Sequence, residues 1–274
     1  MTLFCDVELA ARLERLEADL IARGSDAARR RGADPRGFAQ PLAGGVASFA
    51  DVDSPLNKVA GLGFGGVPAA ADLDTVERAF AACGSPVQAE VSTLADPAIG
   101  DLLTGRGYRL VSFENVLGAR PGPVTASPPG IEVRRAAPDE FDLWLELVAD
   151  AFAVADTQGV ASHEEFPRET VLNAMRDMAA AGLRHYLALR DGVPAGGASM
   201  HVVDGVAQLT GAATLPEHRR HGVQTALLSA RLADAADEGC DVAVVTTQPG
   251  SKSQQNVQRQ GFDLLYARAV LVRR

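Results

Sequence analysis

The stretch Leu209–Leu228, LTGAATLPEHRRHGVQTALL, limits the fold more than any other part of the chain. Ala207–Thr214 is small and apolar or β-tolerant, which suits a buried strand. Pro216–His221 breaks that pattern with a proline and a cluster of charge, and Ala226, Leu227 and Ala230 then recur at helical spacing. The reading is strand, tight loop, helix, with the helix opening at Gly222. Backbone N–H groups in a first helical turn lack intrahelical partners and sit at the positive end of the dipole. Such a turn is an anion site, and a diphosphate is its usual occupant. Gly222 lets a bulky group approach the backbone, and Arg219 and Arg220 are expected to add fixed positive charge.

The pattern Arg219-x-x-Gly222-x-Gln224 behind Pro216 resembles the acyl-CoA loop of the GCN5-related N-acetyltransferases. The strand, the proline, Arg219 and Gly222 match; Gln224 departs, because the family prefers glycine or alanine there. A second segment, Asn256-Val-Gln-Arg-Gln-Gly261-Phe262, resembles the family's later asparagine, helix and Gly-Phe ending. The resemblance implies an α/β (α+β) acyl-CoA N-acyltransferase fold, a mixed, mostly antiparallel sheet flanked by helices. It also implies acetyl-CoA as cosubstrate, lying where two parallel strands, Ala207–Thr214 and Val242–Thr247, splay apart. Ala212, Ala213 and Thr214 would pair with the pantetheine arm. Arg219, Arg220, His221, Gly222, Val223, Gln224 and Thr225 would hold the pyrophosphate, and Asn256 would reach the cofactor arm.

Transfer needs a deprotonated amine, attack on a thioester and a proton for the thiolate. Where many members place a tyrosine acid this chain has Val257, and where histone-acetylating members place a glutamate base it has Gln208. His201 and Glu165 are other groups on which proton transfer could rest, although a strand histidine is more often structural. No catalytic residue is assigned. The expected activity is N-acetylation of a small-molecule or protein amine. Two further readings stay open: an acyl-CoA-binding protein without catalysis, and a site for a different phosphorylated ligand. Acceptor choice is expected from Asp150–Arg168, which holds Phe152, Asp156, His163, Glu164, Glu165 and Phe166.

The rest of the chain reads as an echo of this half. Pro121–Gly130 is rich in proline and glycine and forms the expected linker. Helix, Gly107-Tyr108 and strand before it parallel helix, Gly261-Phe262 and strand at the end, so two copies of one fold are expected. Residues 1–120 would be a degenerate copy and 131–274 the copy that carries the loop. Gly61-Leu-Gly63-Phe-Gly65-Gly66 spells a dinucleotide fingerprint, but Val67-Pro68 bars a helix from opening inside it, so a glycine-rich loop is expected. In the first half a helix from Glu8 to Ala22 is expected to stop at Gly24, with Arg29–Arg31 in a solvated loop.

The formal charge of -9 disfavours nucleic acid as a partner. No apolar run approaches the ~20 residues of a membrane helix. Cys5, Cys83 and Cys240 show neither disulfide nor metal spacing, so no metal is expected and a cytoplasmic setting is the plain reading. A homodimer is one assembly open to such a chain.

Overall fold

Helix α1 (Val7–Arg31) runs well past Gly24. The Asp6 side chain caps its start by accepting from the Leu9 N–H at 2.8 Å, and Gly32, in the left-handed region at φ 81°, ends it. Gly24 is an internal contact point rather than a stop. A Cβ there would lie 3.0 Å from Met178 Sδ and 3.1 Å from Leu56 Cδ1. Arg29, Arg30 and Arg31 are the last helical turn, where positive charge is favoured. Arg31 is also paired with Asp177 at 2.9 Å, so the expected solvated loop is instead a helix end tied to α5 (Arg168–Ala180).

The computed structural model describes residues 2–122, 128–154, 158–160 and 166–274. They form two compact units. The α1 unit comprises Phe4–Asn115, His163–Ala181 and Tyr266–Arg274. Its strands are β1 (Phe38–Leu42), β2 (Gly45–Phe49), β3 (Lys58–Ala60), β4 (Val87–Ser92) and parts of β5 (Arg109–Ala119) and β11 (Asp263–Arg273). They lie in the order β1-β2-β3-β4-β11-β5. Only the β3–β4 pair is parallel among those with a described register. Helices α2 (Ala70–Cys83) and α3 (Ala98–Gly105) cover a core of Phe49, Leu73, Val76, Phe80, Ile99 and Leu103. The glycine-rich segment turns tightly there: Gly63 has φ +87°, and a Cβ would stand 2.7 Å from Ala95 Cβ. No helix opens inside it; α2 starts at Ala70.

The face under α1 is polar as well as apolar. Arg268 Nε and Tyr266 Oη both donate to Glu14 at 2.7 Å, Lys58 pairs with Glu90, and Glu114 stands 3.5 Å from Arg268. Glu14, Glu90 and Arg268 are almost fully buried.

The cleft unit comprises Met1–Leu3, Val116–Ser162 and Gly182–Leu265. It holds β6 (Ile131–Arg135), α4 (Phe141–Ala153), β7 (Arg184–Arg190), β8 (Val193–Val203), β9 (Val206–Thr214), α6 (Val223–Asp237), β10 (Val242–Thr247) and α7 (Lys252–Arg259). Its strand order is β5-β10-β9-β8-β7-β6, antiparallel from β6 to β9 and parallel between β9 and β10. Asp191-Gly192 and Asp204-Gly205 make the hairpin turns with positive φ at both residues, as the sequence predicts. Strand β5 starts in the α1 unit and ends in the cleft unit, and β11 runs the other way. Each half of the sequence thus gives the end of its last strand to the other unit. The Pro/Gly-rich stretch 121–130 lies between β5 and β6.

Candidate active site

Strands β9 and β10 are paired over three residues only: Val242↔Val206, Ala243↔Ala207 and Val244↔Gln208. Among the described residues the ladder ends there, although β9 continues to Thr214 and β10 to Thr247. A bulge in β9 coincides with the parting. Its register with β8 moves from Ser199↔Thr210 to Gly197↔Ala213, and Gly211 has φ +57°. The β10-facing backbone edge of Ala212, Ala213 and Thr214 is therefore open to an extended ligand.

After Thr214 the chain makes a single 3-10 turn, Pro216–His218, and enters α6 through Gly222. Gly222 has φ 90°, and a Cβ on it would stand 2.6 Å from Pro128 Cγ. Both the backbone angle and the neighbour require glycine. Among the described residues no side chain caps this helix, which leaves the N–H groups of Val223, Gln224 and Thr225 for an anion. The Val223 side chain is buried in the core, which leaves its backbone alone for ligand contact. Gln224 and Thr225 are half-buried, while Arg220 (φ 66°) and His221 are exposed.

The Arg219 side chain is bound to backbone carbonyls. Its Nη2 donates to the carbonyls of Ala151, at 3.2 Å, and Val154, and its Nε donates to Thr214 O at 3.3 Å. The guanidinium braces the loop against the C-terminal end of α4, where free carbonyls attract a cation. Arg220 is the arginine of the pair left exposed beside the helix start.

On the far side of the opening, α7 starts with the Ser251 side chain accepting from Gln254 N at 3.1 Å. Asn256 is half-buried on this helix, and the next residue, Val257, is 2 % exposed and packed into the apolar core. A side chain at 257 therefore faces the core. Gln208 sits opposite His201 in the β8–β9 register, both buried. Asp156, His163, Glu164 and Glu165 lie outside the described residues.

Two buried groups were not singled out by the sequence. His185 on β7 packs against Trp144 of α4, ring centroids 4.2 Å apart, and burial pulls its pKa down to about 4. Arg231 of α6 is buried, with its donors on strand carbonyls. The clue for Arg231 was available: it falls four residues after Leu227, on the helix's apolar stripe.

Residues 144–262 match the profile of the Acetyltransferase (GNAT) family. No curated protein matches the sequence. Among solved structures, a GCN5-related N-acetyltransferase from Kribbella flavida shares 24% identity over 90% of this chain and 95% of its own, with a TM-score of 0.62. A tandem GNAT protein from the clavulanic acid biosynthesis pathway shares 16% identity over 93% of both chains, with a TM-score of 0.61. A GCN5-related N-acetyltransferase from Sphaerobacter thermophilus shares 16% identity over 73% of this chain and 66% of its own, with a TM-score of 0.56.

Proposed function

We propose that the chain transfers an acetyl group from acetyl-CoA to an amine, a reading supported by the match of residues 144–262 to the profile of the Acetyltransferase (GNAT) family. The observation that carries this reading is the parting of β9 from β10 beside an uncapped helix start at Gly222. One feature accepts an extended arm by backbone pairing and the other accepts a diphosphate, and the loop joins them within a few residues. In this reading Ala212–Thr214 bind the pantetheine arm and the N–H groups of Val223, Gln224 and Thr225 bind the pyrophosphate. Arg220 and His221 flank the pyrophosphate, and Asn256 faces the arm. The amine must arrive without its proton and the thiolate must gain one. With an amide at 208 and a core valine at 257, the chain's contribution to chemistry is mainly to hold the reactants in line.

The α1 unit is not read as a second cofactor site: its loop Gly61–Gly66 carries no arginine and no helix opens inside it. Helix α5 follows the acceptor-selecting stretch in sequence, and it is fastened to α1 through Asp177–Arg31 and Met178–Gly24. Three buried free cysteines are consistent with a cytoplasmic setting. A second reading, acyl-CoA binding without turnover, is favoured by one observation: Val257 is enclosed in the core. Release of free thiol on incubation with acetyl-CoA and a panel of amines separates the two.

The test of the site is Gly222→Asp. It sets a carboxylate where a diphosphate would lie and forces a Cβ onto Pro128 at a left-handed φ. Acetyl-CoA binding measured by calorimetry should be abolished while circular dichroism stays native. Unchanged affinity would overturn the assignment.

A further inference from the structure

Arg231 is 2 % exposed, and its positive charge meets backbone oxygens only. Its Nε donates to Leu227 O at 3.1 Å, and its Nη1 donates to Ser199 O at 3.0 Å and Thr210 O at 3.3 Å. Among the described residues no carboxylate pairs with it. Burial draws its pKa down to about 10, which still leaves it charged at neutral pH. A buried charge without a counterion is costly, and an apolar side chain of similar volume would fill the same space at less cost. Its placement gives the charge a use. Ser199 and Thr210 are the last register pair before the β9 bulge, and Gly211 is the next residue.

A peptide group is planar and trans, so the Thr210 carbonyl and the Gly211 N–H point in opposite directions. A cation on that carbonyl draws electron density from the N–H and strengthens it as a donor. The N–H so strengthened lies on the side of the peptide turned away from Arg231. Gly211 follows the point at which β9 has lost its partner β10. We propose that Arg231 is a positioning residue for acetyl transfer: it fixes and polarises the Thr210–Gly211 peptide, so that the Gly211 N–H donates to the carbonyl oxygen of a thioester lying between β9 and β10. The inference rests on the acetyl-CoA reading above. It supplies fixed stabilisation of the charge that builds on that oxygen as the amine attacks, independent of any side-chain acid.

The probe is acetyl-CoA labelled with carbon-13 at the thioester carbonyl, observed by difference infrared spectroscopy on the full-length protein. Bound to the native protein, the carbonyl band should fall below its position in free acetyl-CoA. In R231M, which keeps the volume and removes the charge, the band should return most of the way while the calorimetric Kd stays within about threefold. R231K, which restores a charge, should recover part of the shift. With an amine that the native protein acetylates, R231M should lower kcat roughly tenfold and leave KM for acetyl-CoA nearly unchanged. An R231M band as shifted as the native one would overturn the role of Arg231 and leave acetyl-CoA binding standing. Absence of calorimetric heat with native protein would overturn the acetyl-CoA reading itself. If R231M does not fold, R231Q serves in its place: a weakened shift supports the proposal and a full one rejects it.

Discussion

An amide cannot take a proton from an ammonium group, so Gln208, buried opposite His201, is no base. Gln208→Ala should therefore keep kcat/KM within about tenfold of native, far from the ~10²–10⁴ loss expected for a positioned acid or base. A steady-state assay with an accepted amine checks this, and a loss of the larger size would give Gln208 a role in the chemistry. Single residues show how unevenly the site could be read from sequence. Gly222 was legible because only glycine tolerates φ 90° in a tight strand-to-helix loop. Arg219 was legible as a position and a charge, but a motif does not give the direction of a side chain. Its guanidinium turns to the carbonyls at the end of α4, which lie close in space and far off in sequence.

At the scale of elements, local periodicity locates most helices and strands, and it fails at α1, where a glycine at 24 predicts a stop that the helix runs through. Only the packing of Met178 and Leu56 against the helix reveals why glycine stands there. The same helix covers the buried charges of its unit, and one of these and a buried histidine of the cleft unit respond to pH in opposite senses. Burial, and then the neighbouring Glu90 carboxylate, push Glu114 up to about 7 from 4.5. Its protonated form is favoured by folding, so its contribution is complete below pH 4.5 and is lost as pH rises through 7. His185 is pulled from 6.5 down to about 4 by burial, so its contribution is complete above pH 6.5 and is lost as pH falls toward 4. Each effect is on the order of 2 kcal/mol. Hydrogen exchange corrected for intrinsic rates should show α1 losing protection between pH 5 and about 7.5 and the β7 region losing it between about 6.5 and 4. Glu114→Gln should flatten the first profile only, and His185→Leu the second only. Parallel profiles in native protein and variant would refute the attribution.

The molecule as a whole was only partly legible. A repeated ending of helix, glycine-aromatic pair and strand announced two related halves, yet nothing in a local pattern says which sheet a strand will join. Both last strands have the same alternating, half-apolar character, and the chain sets the end of β5 beside β10 and that of β11 beside β4. Removing residues 1–120 would take away the strand beside β10 and leave the end of β11 without β4. The fragment 121–274 should then aggregate or lose acetyl-CoA binding. Titration of intact protein should give one acetyl-CoA per chain, because α6 opens through Gly222 directly behind Arg219 and Arg220, whereas α2 opens at Ala70 behind Pro68 with no arginine in the loop before it. Two equivalent sites, or a soluble fragment with full affinity, would refute this division of labour. The exchanged strand ends also set a timetable for biosynthesis. Strand β4 leaves the ribosome about 170 residues ahead of β11, a wait of roughly 10–30 s at ordinary translation rates. During that interval the β4 edge has no permanent neighbour, which makes the nascent chain a natural client for a chaperone that shields open strands.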